Sequence, residues 1–101
     1  MIGAGSTITV NVVLEDFAMI NFGVTIGHES RIGRGAVINP GANISGGVHV
    51  GDAALVGAGA VVLQYRRVAN EAVVGAGAVV TRDVAARAVV VGVPARPRNT
   101  S

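Results

Sequence analysis

Reading every sixth residue from Ile2 returns Ile2, Ile8, Leu14, Ile20, Ile26, Ile32, Ile38, Ile44, Val50, Val56, Val62, Val68, Val74 and Val80, without one insertion. A run of fourteen aliphatics in one frame is far beyond chance, so internal repetition outranks every other signal in the chain. Four places after each of them stands a small residue, from Ser6, Val12 and Ala18 through to Ala72, Ala78 and Val84, with Arg66 as the one exception. Side chains alternate faces along a strand, so a small residue two places before an aliphatic shares its face. Each hexad therefore predicts one short strand with an inward pair. Thirteen of the fifteen glycines fall one or three places after the aliphatic, and Asn11 and Asp83 also occupy the third place. These residue types tolerate positive φ, so a turn is expected there.

A turn every six residues lets three strands close one coil of eighteen, with equivalent places in successive coils stacked about 4.8 Å apart by parallel pairing. The frame predicts about 4.7 such coils. The composition agrees. Phe17, Phe22 and Tyr65 are the only aromatics in 101 residues, and Gly, Ala and Val dominate, which suits a slim interior filled by small side chains.

This pattern resembles the hexapeptide-repeat left-handed β-helix over residues 2–85, and the handedness is implied by that resemblance alone, because parallel crossovers are ordinarily right-handed. The fold class expected is all-β, a single-stranded left-handed parallel β-helix at 1–85 with a short C-terminal extension at 86–101. Pro94 and Pro97 in that extension cannot continue a central strand, so it is expected to fold back or across. At Met1 the chain opens directly into a repeat, and the edge of the first coil is expected to be covered by residues upstream or by a partner.

The hexad Val62–Arg67 departs from the rule. Tyr65 takes a glycine-type turn place and Arg66 an inward small place. Burying an unpaired guanidinium is costly, so the coil is expected to bulge and swing Arg66 outward, the alternative being an anion supplied by a partner.

All eight basic residues are arginines spread along the chain, and the formal charge is +2, which argues against a nucleic-acid-binding arm. Cysteine is absent, so neither a disulfide scaffold nor a Cys-ligated metal is expected. No apolar run approaches 18 residues and no basic-then-apolar leader is present, so no membrane association is expected and a cytoplasmic location is the default.

The chain has two histidines. His49 lies on the outward side of a strand and is read as a solvated imidazole. His28 sits at a corner in INFGVTIGHESRIG, followed by Glu29, a carboxylate able to hold the ring. Acyl transfer to a hydroxyl or amine requires a base near neutral pH, because the nucleophile loses its proton as it attacks the thioester. On the residues alone, an exposed turn histidine beside a solubilising glutamate explains the pair equally well.

The stretch INFGVTIGHESRIGRGAVINPGANISGG is similar to the catalytic segment of the sialic-acid O-acetyltransferase-like and bacillosamine-type sugar N-acetyltransferases. That resemblance implies a general base at His28, an orienting partner at Glu29 and a polar active-site role for Asn21. It also implies acetyl-CoA as acyl donor, no metal, a sugar or nucleotide-sugar acceptor in polysaccharide or sialic-acid metabolism, and a homotrimer with each site shared between neighbouring chains. Many of the N-acetylating members carry a second histidine beside the cofactor where this chain has Val37, a departure that shifts the expectation toward O-acetylation. They also carry an N-terminal nucleotide-sugar domain for which these residues leave no room.

Stacking at eighteen-residue intervals places His28, Gly46, Gln64 and Arg82 on one edge. Gly46 leaves room for a pantetheine arm, and Arg82, about 14 Å below by strand spacing, is placed to approach the nucleotide phosphates. A second column contains Ala58 and Ala76, which match the small turn residues that hold acetyl-CoA in the family. The tail motif VVGVPAR resembles the closing signature of these enzymes and makes Arg96 a candidate for phosphate contact. These small residues equally serve as turns.

Other readings fare worse. Gly57-Ala58-Gly59 and Gly75-Ala76-Gly77 lack the third glycine and the helix that a dinucleotide fingerprint needs. A β-helix metal enzyme of the carbonic-anhydrase kind needs three histidine ligands. A noncatalytic assembly module, a split relative that only binds a partner, is the competing non-enzymatic reading.

Overall fold

In the computed structural model, which describes residues 1–98, every strand is two or three residues long and all but the last pair in parallel. Three sheets form. The first face contains β1 (Thr7–Ile8), β4 (Thr25–Ile26), β7 (Asn43–Ile44), β10 (Val61–Val62) and β13 (Val79–Val80). The second contains β2 (Val13–Leu14), β5 (Arg31–Ile32), β8 (His49–Val50) and β11 (Arg67–Val68). The third contains β3 (Met19–Ile20), β6 (Val37–Ile38), β9 (Leu55–Val56), β12 (Val73–Val74), β14 (Val89–Val91) and β15 (Arg96–Pro97). Successive strands as far as β13 visit the three faces in turn, which makes a triangular column of 39 × 21 × 20 Å. This is the left-handed parallel β-helix architecture.

The inward ladder is dry. Ile20, Ile26, Ile32, Ile38 and Ile44 line the upper coils and Val56, Val62, Val68 and Val74 the lower ones, all with no measurable exposure. Alanines such as Ala36, Ala60 and Ala72 fill the space beside them, as a narrow prism requires. Ser30 is the sole buried polar residue among those described. Its hydroxyl donates to the Ser45 carbonyl at 2.8 Å and accepts from the Val48 N–H at 3.1 Å, so it ties one corner to the next.

In every hexad from Ile2 to Val74 the third place has positive φ, whatever residue stands there. Glycines such as Gly23 and Gly59 share this geometry with Asn11, Phe17, Glu29, Ala53, Tyr65 and Glu71. The stacked turn imposes the left-handed conformation, and side chains bear its cost wherever glycine is not used.

Strand partners are eighteen residues apart down to Val61↔Val79. The final coil differs. Val74 pairs with Val90 and Val68 bridges Val84, an offset of sixteen. Two residues are missing from the corner after Val80, and positive φ resumes at Arg87, three places after Val84. Asp83 thus does not occupy the left-handed turn expected of it, and its carboxylate instead accepts the Arg67 backbone N–H at 2.9 Å. β15 then turns back antiparallel on β14, with Val91 opposite Arg96.

The Tyr65–Arg66 segment shows no bulge. Asn43↔Val61, His49↔Arg67 and Leu55↔Val73 keep the frame on every side of it. Arg66 is half-buried, and its Nε donates to the Gln64 carbonyl at 3.2 Å. The shortened coil below explains how an arginine fits an inward place: Val84, which would have stacked beneath it, is drawn across to Val68.

Candidate active site

The corner between the first and second faces carries His28 and Glu29. Parallel pairing on both sides holds it, with the Gly47 N–H donating to the His28 carbonyl at 2.9 Å and the Glu29 N–H donating to the Val10 carbonyl at 3.2 Å. The His28 Nδ1 stands 3.4 Å from Glu29 Oε1, at the outer edge of hydrogen-bond range, and both side chains are more than half exposed. Glu29 sits at φ 61°, which turns its carboxylate back toward the preceding ring. With Nδ1–H directed at the carboxylate, Nε2 is the nitrogen left free to take a proton.

Gly46 seats that ring. A Cβ at this position would lie 3.2 Å from both Cε1 and Nε2 of His28, so any larger residue would press on the imidazole. Gly46→Ala is therefore expected to lower transfer rates about tenfold, the scale on which small misplacements act on catalysis, with little change in melting temperature. Parallel rate and melting measurements check it; a variant with wild-type rates would show that the ring needs no such seat.

Beside Gly46 in the same coil, Gly47 supports a second ring. A Cβ there would fall 2.5–2.6 Å from Cδ1 and Cε1 of Tyr65, so the phenol edge occupies the space that glycine leaves. Imidazole and phenol thus rest on neighbouring residues. Column arithmetic shows both placements, since Gly46 stands eighteen residues after His28 and Tyr65 eighteen after Gly47; that the ring of Tyr65 rises onto Gly47 is what the structure adds.

The remaining expected site residues are distributed over other parts of the prism. Asn21 lies at the corner between the third and first faces, where its Nδ2 donates to the Ile38 carbonyl at 3.3 Å and to Asn39 Oδ1 at 3.4 Å. Ala58 and Ala76 occupy the same corner lower down, both exposed, with the Gly77 N–H donating to the Ala58 carbonyl at 2.9 Å. Val37 is on the third face between Met19 and Leu55, and the His28 corner lies on the opposite side of the prism. Arg82 and Arg96 line one concavity of about 230 Å³ at the lower end, over a floor that includes Val80, Val84 and Val90. A single chain therefore brings His28 to Glu29 and Gly46, and Arg82 to Arg96. It leaves the two corners apart.

Among the described residues, no group of three or more His, Cys, Asp or Glu side chains could hold a metal ion, and no helix is long and apolar enough to cross a membrane.

The family described as bacterial transferase hexapeptide (six repeats) matches residues 29–64. No curated protein matches the chain by sequence. Among solved structures, a variant of GDP-perosamine N-acetyltransferase from Caulobacter crescentus, in complex with CoA and GDP-perosamine, is 30% identical with a TM-score of 0.73, over 98% of this chain and 57% of that one. WeeI from Acinetobacter baumannii AYE is 34% identical with a TM-score of 0.92, over 95% of this chain and 48% of that one. Serine acetyltransferase from Neisseria gonorrhoeae is 30% identical with a TM-score of 0.89, over 94% of this chain and 41% of that one. The chain spans about half the length of the structures it matches. Repeat and fold together identify it as a hexapeptide-repeat β-helix, in which residues 29–64 match the bacterial transferase hexapeptide family and which is similar to the sugar acetyltransferases.

Proposed function

We propose that this β-helix transfers an acetyl group from acetyl-CoA to a sugar, with His28 as general base. The observation that carries this reading is the His28–Glu29 pair seated on Gly46 at an open corner of a fold similar to CoA-dependent acetyltransferases. As the acceptor oxygen or nitrogen attacks the thioester carbonyl, Nε2 takes its proton. The tetrahedral intermediate then expels the CoA sulfur, which recovers that proton from the imidazolium. Glu29 holds the ring and balances its charge. No covalent acyl-enzyme is required, in keeping with a chain that lacks cysteine.

A sugar hydroxyl is the acceptor favoured here, since Val37 puts an aliphatic side chain where the resemblance places a second histidine in N-acetylating enzymes. The similarity to an enzyme complexed with GDP-perosamine supports the amine of a nucleotide-linked amino sugar as the second reading.

Both corners that carry expected site residues border the first face. Its outward side chains, Thr7, Thr25, Asn43, Val61 and Val79, are uncharged, whereas the second face presents Arg31, His49 and Arg67. Three copies with the first face turned toward a common axis would bring the Ala58–Ala76 corner of one chain against the His28 corner of the next. Acetyl-CoA would lie in that groove, with its phosphates within reach of Arg82 and Arg96. Cytoplasmic chemistry follows from where acetyl-CoA is made.

Acetyl-CoA binding gives the direct test. At a hundred times its Kd it is expected to stabilise the fold by about 2.7 kcal/mol, and thiol release should follow when candidate sugars are added. A protein that shows neither stabilisation nor thiol release would be an assembly module rather than an enzyme.

A further inference from the structure

Phe22 is the one aromatic in the column Ala4, Phe22, Pro40, Ala58 and Ala76, which forms the corner between the third and first faces. It is 61% exposed and takes no part in the core. Its backbone lies outside the left-handed turn, so the position makes no conformational demand on residue type. The other phenylalanine, Phe17, has the Arg34 guanidinium 5.1 Å from its ring centroid, whereas no cation covers Phe22 among the described residues. Asn21 beside it turns its amide nitrogen back to the Ile38 carbonyl and Asn39 Oδ1, so at this height the corner presents the phenylalanine. Phe22 and His28 hold the same place in consecutive hexads, at opposite edges of the first face.

We infer that Phe22 enters the active site of a second copy of this chain, beside His28, as the apolar wall against which the acceptor sugar rests. The inference rests on the transferase reading, with the first face turned to a common axis. For three first faces to meet along their length that axis must run parallel to the column, so rotation carries each corner across without changing its height. Six residues are one third of a coil, and Phe22 of one copy therefore stands about 1.6 Å above His28 of the next. Pro40, Ala58 and Ala76 of that copy fall below the imidazole, on the coils that hold the donor. The acceptor must reach Nε2 from above, and Phe22 is the aromatic at that level. Its ring face attracts the polarised C–H groups on one side of a pyranose. Val10, one coil above His28 and 71% exposed, extends the same apolar surface.

The chain has no cysteine, so introduced thiols report contacts without background. A chain carrying Phe22→Cys and Glu29→Cys holds its two thiols at opposite edges of one face, beyond the roughly 7 Å between Cα atoms that an internal disulfide allows. Mild oxidation should link neighbours into a closed covalent trimer, read on a denaturing gel. Phe22→Cys with Ala53→Cys, on the outer corner between the second and third faces, should stay monomeric. In thiol-release assays N-acetylneuraminate offers a hydroxyl acceptor and glucosamine 1-phosphate an amine. Phe22→Ala should raise the acceptor KM about tenfold, the scale of an aromatic contact, and leave the acetyl-CoA KM and the melting temperature unchanged. Phe22→Ala and His28→Ala chains co-expressed in equal amounts should regain about one quarter of the wild-type sites, because each copy supplies what its neighbour lacks. Activity no higher than the mean of the two variants would overturn the shared wall, as would an unchanged acceptor KM or equal linkage in the two cysteine pairs. Wild type without thiol release would remove the transferase reading instead, and the cysteine pairs would then decide alone whether the two corners meet.

Discussion

Replacing His28 by alanine is expected to slow acetyl transfer by roughly a hundred- to ten-thousand-fold, the usual contribution of a positioned general base. The fold should not notice. The imidazole side chain is 54% exposed and rests on glycine rather than in the core, so its removal opens no cavity. The acetyl-CoA concentration for half-saturation should change little, because the lost interaction belongs to the proton transfer and not to donor binding. Steady-state thiol release at saturating donor, with melting curves for both proteins, checks the point. Equal rates in wild type and variant would dismiss His28 as the base, whatever else the enzyme does.

The second large effect concerns the core. Ile38 sits in a central coil with no exposure, between Ile20 above and Val56 below. Truncation to alanine removes three carbons from a column that cannot collapse sideways, since neighbouring coils are locked by parallel pairing. A loss of about 2–5 kcal/mol is expected, against a total stability of roughly 5–15 kcal/mol for a domain. Leu14 occupies the same place in the first coil but is only half-buried, so Leu14→Ala should cost clearly less. In a solenoid each coil contacts only its neighbours, which makes a defect at the end cheaper than one in the middle. Denaturant unfolding of the two variants measures the difference. Equal losses would mean that burial at this end of the column is completed by something other than the chain's own coils.

Much of this architecture is legible from spacing, because a period of six leaves the backbone few alternatives. The inward aliphatics, the small residues beside them and the eighteen-residue register all follow from that frame. Residue type alone was a poorer guide to the turns. Phe17, Glu29 and Tyr65 do not ask for positive φ, yet the coils above and below force it on them. The shortened coil was hidden for a different reason: Val84 is aliphatic and fits either the small place of one hexad or the inward place of the next. Asp83 reinforced the wrong choice by looking like a turn residue. Arg66 then demanded a bulge that the intact frame did not need once the space beneath it had been vacated. At the site, the seating of His28 on Gly46 could be read from the column, since both stand at the same edge. The separation of Ala58 from that edge is legible in the same way, because the eighteen-residue spacing puts it in a second column, whereas Val37 is placed by resemblance and not by its column.

The missing pair of residues after Val80 and the reversal of β15 have a further outcome. A stack of identical coils offers at its last edge a template onto which another chain could dock indefinitely. Here the register slips by two and the terminal strand runs the opposite way, with Pro97 placed where a donor N–H would otherwise stand. The column carries its own stop mark, and filament growth from that end is barred by the same few residues that shape the arginine-rimmed hollow.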